Sequence, residues 1–225
     1  MFQGYSDATV DFLWGIRFNN DRAWFSEHKE DYLRHVYQPT VELGKEVYDR
    51  FAEKFPKAGL NLHVSRIYRD ARRLHGRGPY KDHLWFSLRP ENGVESRLPV
   101  YWFEIAPEGW SYGMGFWNAT HTMMEVFRRE TAANPAALMK LARQLEKQEV
   151  FTLQGREYAR PKAAPNNLLQ PWFNKKSIVL GCDRPYDDTV CSPDLADTLA
   201  EGFAFLEPYH RHFAAFCKNG LEDLK

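Results

Sequence analysis

The sequence predicts an α+β protein, because helical patterns fill its first quarter, strand patterns follow, and mostly helical patterns occupy the rest. Apolar residues recur at helical spacing through residues 6–56, and from residue 60 to 117 they alternate at every second position. We therefore expect one domain over residues 1–225, with a mostly antiparallel sheet packed by N-terminal, middle and C-terminal helices.

The N-terminal region, residues 6–56, is expected to hold a series of helices. Ser6 or Asp7 suits the cap of the first helix in SDATVDFLWGIRF. The next stretch, NNDRAWFSEHKEDYLRHVY, runs into Pro39, which should break or kink it because proline has no N–H and its ring crowds the preceding turn.

The second region, residues 60–117, predicts a strand meander. LHVSRIYR, LWFSLR and WSYGMGFW alternate in polarity, and the turn clusters RPENGVES and APEGW separate the last three strands. PVYWFEIAP is apolar on both sides, which predicts a central strand covered on both faces. Helices are expected over residues 120–147, and further strands with a final helix over residues 149–218. That final helix carries an apolar stripe of Leu195, Leu199, Phe203 and Leu206.

The charge balance predicts that any basic patch is local. The chain has 30 Lys and Arg against 30 Asp and Glu, so a global electrostatic footprint for nucleic acid is absent and such a partner is not favoured. The alternative stays open, because Trp85, Trp102, Trp110 and Trp117 near the strands could stack bases.

The location expected from the sequence is the cytoplasm. The first residues, MFQGYSDATV, lack the basic start and apolar centre of a signal peptide. No apolar run approaches the ~18 residues of a membrane helix, so no membrane partner is expected. Cys182, Cys191 and Cys217 are too few and too scattered for a disulfide framework and suit reduced thiols.

A basic segment, SRIYRDARRLHGRGPYKDHLWFSL at residues 65–88, holds six Arg or Lys and two Asp. If residues 62–69 form a strand, Arg66 shares the more apolar face with Leu62 and Val64 and must meet an anion there. That anion could be the carboxylate of Glu104, or it could belong to a ligand.

The favoured function is binding of an anionic ligand, bearing phosphate or carboxylate, by the strand and loop over residues 66–83. Arginine suits forked hydrogen bonding to such groups, and lysine acts as a point charge. The expected ligand-binding residues are Arg66, Arg69, Arg72, Tyr80, Lys81 and His83, and Arg73 and Arg77 lie in the same loop. Asp70 could orient one of the arginines.

Two alternatives stay open at this point. The same pocket could belong to an enzyme, with Asp70 or His83 as the acid or base and Tyr80 as a proton donor. The other reading is a structural or protein-interaction domain, in which the arginines form an internal salt-bridge network with acids such as Glu104.

Metal and cofactor sites are not expected. The chain has no Gly-rich phosphate loop and no nucleophile elbow. His210 and His212 would point in different directions on a helix, and His28 and His35 would need further ligands that the sequence does not identify.

Three stretches in order, NNDRAWFSEHKEDY, RIYRDARR and GPYKDH, resemble the hallmarks of a bacterial and fungal family of conserved proteins, domain of unknown function 2461. The resemblance runs from about Phe12 to the late helix. In the family the loop usually has Phe and Ser after the second arginine, so residues 73–78 depart from the pattern. The resemblance implies a single α+β domain without an established activity. It singles out Asn19, Asn20, Trp24, Phe25, Arg66, Arg69, Asp70, Arg72, Pro79, Tyr80, Lys81 and His83.

Overall fold

The computed structural model describes residues 1–70, 72, 76–90, 98–116 and 119–222. They form helices and a six-stranded antiparallel sheet, which confirms the predicted α+β class. The chain divides into two compact units. Unit 1 comprises Met1–Leu88, Trp102–Tyr112 and Asp183–Glu201, and unit 2 comprises Arg89–Tyr101, Gly113–Cys182 and Gly202–Lys225.

The described residues begin with helices, continue with four strands, and then combine helices with two further strands. The helices are α1 (Asp7–Phe18), α2 (Arg22–Glu27), α3 (Lys29–Asp31), a π-helical segment (Tyr32–Tyr37), α4 (Gln38–Lys54), α5 (His121–Ala133), α6 (Ala136–Leu145), α7 (Gln170–Asn174) and α8 (Leu195–Glu222). The strands are β1 (Asn61–Val64), β2 (Leu84–Arg89), β3 (Val100–Ala106), β4 (Gly109–Gly115), β5 (Thr152–Gln154) and β6 (Val179–Arg184), in the sheet order β1-β2-β3-β4-β6-β5. None of the helices described is long and apolar enough to cross a membrane.

Pro39 interrupts the helical stretch, as predicted, and the turns just before it widen into a π-helix. Pro39 lies in the first turn of α4, directly after the π-helical segment. Because proline has no N–H, the carbonyl of His35 lacks its usual helical donor. Thr9 Oγ1 of α1 donates to that carbonyl at 2.7 Å, and Thr40 Oγ1 donates to the carbonyl of Val36 at 2.7 Å. The widened turn is therefore joined to α1 by a buried hydroxyl.

The core of unit 1 is built from the apolar faces of its helices and from rings on the strands. Ile16 of α1 and Val47 of α4 are fully buried. Phe86 of β2 stacks on Phe103 of β3 with ring centroids 5.4 Å apart, and Tyr5 stacks on Phe103 at 6.1 Å. Burial of each such ring stabilises the fold by about 2–3 kcal/mol, so these contacts hold the strands that carry the site.

The core of unit 2 is built around α8. The predicted apolar stripe is confirmed, since Phe203 and Leu206 are fully buried. Phe203 packs on Tyr101 of β3 at 5.1 Å between ring centroids. Phe213 of α8 lies 5.9 Å from Phe127 of α5 in the same measure.

Two strand predictions need correction. β1 ends at Val64, so the alternation of LHVSRIYR does not continue as a strand to residue 69. β3 is not covered equally on both faces, because Tyr101, Phe103 and Ile105 are fully buried whereas Glu104 between them keeps partial exposure. A carboxylate without a partner is costly to bury, and partial access to water reduces that cost.

Candidate functional site

The basic segment of unit 1 is closed by a short antiparallel pairing beyond the end of β1. Tyr68 and Tyr80 form an isolated bridge. Arg69 N donates to Pro79 O at 2.8 Å, and Lys81 N donates to Ile67 O at 2.7 Å. This pairing brings Arg69 and Lys81, which are twelve positions apart in sequence, to the same place on the surface of unit 1.

Asn20, two positions before α2, holds the second half of this loop in place. Its Nδ2 donates to Tyr80 O and its Oδ1 accepts from Tyr80 N, both at 3.0 Å. A Cβ atom on Gly78 would lie 2.1 Å from Asn20 Oδ1, so the residue there must be glycine for the amide to approach. The loop is thereby held to the helical part of unit 1.

Asp82 is the acid that contacts the basic side chains near the end of this loop. Its Oδ2 accepts from Arg17 Nε at 2.6 Å, and its Oδ1 lies 3.1 Å from His83 Nδ1 and 3.7 Å from Arg69 Nη2. Arg17 also pairs with Glu108 in the turn after β3. Burial alone would raise the pKa of Asp82, but the hydrogen bonds from Arg17 and His83 outweigh it, and the pKa lies below its ordinary value.

The arginines predicted for ligand binding have different settings. Arg66 is exposed and, within the described part of the chain, makes no hydrogen bond or ion pair. Arg69 is mostly buried, and its Nε donates to Tyr80 O at 2.7 Å. Arg72 forms a forked pair with Asp70, with Nη2 at 2.7 Å from Oδ2 and Nε at 3.1 Å from Oδ1. That pair is exposed at the surface, so Asp70 orients Arg72, as the sequence allowed.

The expected position of Arg66 on a buried face is wrong. Ser65 and Ile67 are the buried residues here, at 2% exposure each, and Arg66 between them points to solvent. Ser65 N donates to Trp85 O and Ser65 Oγ accepts from Trp85 N. A serine whose hydroxyl has a partner is cheaper to bury than a guanidinium without one, which sets the orientation of this stretch.

Among the basic side chains of this segment that are at least half-buried, Lys81 has the least nearby negative charge to offset its own. Its ammonium is half-buried and lies 5.7 Å from the centre of the Trp85 ring. Among the residues described, no carboxylate comes within ion-pair distance of it. Burial and then the positive charges of Arg66 and Arg69 lower the pKa of Lys81, while Glu104 acts in the opposite direction. Lys81 is therefore a cation held near two others with only distant compensation.

Glu104 of β3 lines a cleft of about 380 Å³ in unit 1, together with Ala106, Glu108, Gly109, Trp110, Ser111, Asp183, Arg184 and Pro185. Burial raises the pKa of Glu104, and the charge of His83 opposes that rise. Glu104 makes no ion pair with Arg66 among the described contacts, so the partner considered for Arg66 is not found there.

Tyr80 and His83 differ in what they can offer a ligand. Tyr80 is 5% exposed, its ring stacks on Phe25 at 4.2 Å, and burial raises the pKa of its hydroxyl. His83 is half-buried, with Nδ1 against Asp82, and its Nε2 has no hydrogen-bond partner in the described ranges. His83 thus has a nitrogen available for chemistry, whereas Tyr80 has a mainly packing role.

The structure therefore brings Arg69 and His83 to Asp82 and brings Lys81 close to Arg69 through the short backbone pairing. It leaves Arg72 with Asp70 at a separate exposed pair. Arg73 and Trp117 lie outside the described residues. The sequence reasoning missed Arg17 and Asp82. Asp82 could have been noticed in the string YKDH, where an acid stands between a lysine and a histidine.

Comparison with known proteins identifies the family. A family model for conserved hypothetical proteins, DUF2461, matches residues 8–212 of the 225-residue chain. The chain belongs to DUF2461. No curated protein matches it.

Several positions that the DUF2461 resemblance singles out hold the loop in place. Phe25 is 4% exposed and packs on Tyr80. The Trp24 ring lies against Gly15, where a Cβ atom would come within 2.6 Å of the ring. Asn20 binds the backbone of Tyr80 and is not the cap of α2, because Asp21 accepts from Trp24 N at 2.9 Å in that role. Within the described ranges, no group of three or more His, Cys, Asp or Glu is arranged to hold a metal ion.

Proposed function

We propose that this DUF2461 protein binds a small anionic ligand, bearing phosphate or carboxylate, on the surface formed by Arg66, Arg69 and Lys81. The observation that carries the proposal is the setting of Lys81, a half-buried ammonium beside two guanidinium groups, with no ion-pair partner among the described residues. Like charges gathered in this way destabilise the unliganded fold, and an anion would relieve the repulsion.

The division of roles follows from side-chain chemistry. The Arg69 guanidinium is fixed by Tyr80 O and Asp82, so its remaining donors have a defined direction. Arg66 is free to fold onto a ligand from solvent, since it makes no described contact. Lys81 supplies a point charge at the half-buried end of the group.

The experiment compares Lys81→Met with the wild type in calorimetric titrations of inorganic phosphate, citrate and a nucleoside monophosphate. Lys57→Met, an exposed lysine of the same unit, serves as the matched control. We expect the wild type and the control to bind at least one of these anions and Lys81→Met to bind it at least about tenfold more weakly, the effect of losing ~1.4 kcal/mol. Equal affinity of Lys81→Met and the control for the bound anion contradicts the proposal.

The pH dependence gives a second test of the same surface. Because the pKa of Lys81 is lowered in the fold, its charge disappears at a lower pH than that of an ordinary lysine. Anion affinity should therefore fall as the pH rises through that lowered pKa. Lys81→Arg should keep its affinity to higher pH, since arginine stays charged.

A second candidate function, acid–base catalysis on the bound anion, is favoured by one contact. Asp82 Oδ1 holds His83 Nδ1 at 3.1 Å, which leaves Nε2 as the nitrogen that can take or give a proton. Asp82, and not Asp70, is the acid in contact with His83, and Asp70 pairs with Arg72 instead. The test measures turnover of p-nitrophenyl phosphate. We expect the wild type and the exposed control Lys57→Met to turn it over and His83→Gln to lose that activity. If His83→Gln keeps the wild-type turnover, the catalytic role of His83 is contradicted.

The third alternative, an internal salt-bridge network, is supported by the contacts of Asp82 with Arg17 and Arg69. It differs from the proposal at Lys81, which takes no part in those contacts. A cytoplasmic location of the protein remains a prediction from the sequence.

A further inference from the structure

Unit 2 contains a second group of cations, gathered around one aromatic ring. The Tyr158 ring centre lies 5.1 Å from Arg128 Cζ, 4.8 Å from Lys162 Nζ and 5.6 Å from Lys176 Nζ. The attraction of a cation to an aromatic ring is worth about 0.5–1 kcal/mol at exposed sites, so the ring offsets part of their mutual repulsion.

Backbone hydrogen bonds fix the chain that carries this group. Glu157 and Lys175 form an isolated antiparallel bridge, and Lys176 N donates to Arg156 O at 2.7 Å. Tyr158 N donates to the carbonyl of Asn174 at 2.9 Å. These bonds place Lys176 opposite Arg156 and Tyr158 opposite Asn174, so Lys176 and Tyr158 lie diagonally across the bridge.

The anchor of the group is Arg128 of α5, which is only 8% exposed. Its Nη1 donates to Phe173 O at 3.3 Å, and its Nη2 donates to Glu125 Oε1 at 3.1 Å. The hydroxyl of Tyr158 lies 3.4 Å from the same Nη2. The ring is thereby tied to a buried charge.

The acids near this group compensate only part of its charge. Glu125 pairs with Arg128, and Glu157 pairs with Lys175 at 2.8 Å. The hydrogen bond from Arg128 chiefly lowers the pKa of Glu125, with a smaller contribution from the charge of Lys162. Lys162 itself has no carboxylate within ion-pair distance in the described part of the chain.

Three more cations share this lack of an acid partner. Lys176, Arg156 and Arg160 are exposed and make no ion pair among the described residues. Arg156 stands two positions before Tyr158, and because the chain is extended around Glu157, residues two apart point to the same side there. Arg160 follows Tyr158 by two positions, where the chain bends. An aromatic ring with exposed cations close to it in the chain resembles the arrangement that single-strand binders use.

We propose that the Tyr158 surface, defined by Tyr158, Arg156, Arg160, Lys162 and Lys176, binds single-stranded nucleic acid. The cations meet successive phosphates, and the partly exposed ring contacts a base. A balanced net charge does not oppose this, because the backbone of a single strand is read by a local group of cations. The surface lies in unit 2 and uses none of the residues proposed for the small anion.

The test is fluorescence anisotropy with a labelled single-stranded RNA of about ten nucleotides at several salt concentrations, matched to the site sizes of single-strand binders. The charge variant is Lys162→Ala with Lys176→Ala, and its control is Lys140→Ala with Lys147→Ala, two exposed lysines of the same unit. The wild type and the control should bind alike. The charge variant should bind at least about tenfold more weakly at low salt, and its salt slope should be smaller by about 1.4, since each single-strand phosphate contact contributes about 0.7.

A further variant separates nucleic acid from other polyanions. Tyr158→Leu should weaken RNA binding at least about fivefold, as loss of a stacking ring does, and should leave binding of inorganic polyphosphate unchanged. The proposal is overturned if the charge variant binds RNA as tightly as its control, or if Tyr158→Leu retains full RNA affinity. It is also overturned if the wild type binds phosphatidylserine vesicles and not the RNA.

Discussion

Replacement of Asp82 by asparagine tests whether this carboxylate holds the loop of unit 1 together. The change keeps the size of the side chain and removes its charge, so Arg17, Arg69 and His83 lose their common acid. Asparagine keeps one carbonyl oxygen, which can accept on the side of Arg17 or on the side of His83 and Arg69, but not on both.

The magnitude follows from the contacts and their exposure. A hydrogen bond to a charged group contributes about 1.5–3 kcal/mol when well buried, and the Arg17 contact at 2.6 Å is the strongest of the three. Asp82 and Arg17 are 20% and 29% exposed, which reduces this value, and Arg17 keeps its contact with Glu108. We expect Asp82→Asn to lower the free energy of unfolding by about 2 kcal/mol, or the Tm by about 4–8 °C in a chain of this size.

The pH dependence of this loss has a defined sign. The folded pKa of Asp82 lies below the unfolded value of 3.8, so its stabilisation is complete above that value and disappears as the pH falls through the folded pKa. The Tm of the wild type and of Asp82→Asn should therefore differ at pH 7 and converge in strong acid.

The assay is thermal unfolding followed by circular dichroism, with Asp49→Asn as the control, because Asp49 is an exposed acid of the same unit without a described ion pair. If Asp82→Asn and Asp49→Asn unfold within about 0.5 kcal/mol of each other at pH 7, the surface-mutation range, the three contacts do not stabilise the fold and our reasoning is refuted.

Three further predictions concern other groups. Lys81→Met should raise the Tm by about 1–4 °C, because it removes a half-buried cation from like charges worth about 0.5–1 kcal/mol; a lower Tm in a thermal melt would contradict this. Gly78→Ala should lower the free energy of unfolding by about 1–3 kcal/mol in urea titration, because the new Cβ collides with Asn20. In the control Gly59→Ala the new Cβ meets no atom within 4 Å. Because Gly59 has a φ of +64°, any loss of stability in that control reports backbone strain alone. Burial lowers the pKa of His210 to about 4, so stability should fall as the pH drops from 6.5 toward 4, and His210→Gln should flatten that part of the curve; parallel stability curves would show that His210 does not titrate there.

Periodicity predicted the fold class because it reports which face of an element is buried. The stripe on α8 was confirmed in this way, with Leu195, Leu199 and Phe203 fully buried. The prediction for Arg66 was wrong because the buried face of residues 65–68 is that of Ser65 and Ile67, and not that of Arg66 and Tyr68. Local pattern shows that polarity alternates, but it does not identify the buried face where both faces carry polar residues.

The candidate site was predicted only where its members are close in sequence. Lys81 and His83 stand in one string, and Arg69 reaches them through a short pairing. Arg17 lies 65 positions from Asp82 and 91 from Glu108, so its contacts depend on how α1 packs in unit 1. A single sequence gives no information on such distant partners.

The proline in the middle of the N-terminal helices acts as a connector as well as an interruption. Its missing N–H leaves the carbonyl of His35 to the hydroxyl of Thr9, and so gives α1 a fixed docking point. A protein engineer who replaced Pro39 with alanine to regularise the helix would supply a competing donor to that carbonyl. The substitution would make the local helix more regular and weaken the attachment of α1. A rule that scores each helix by itself would therefore count it as stabilising when its net effect is the opposite.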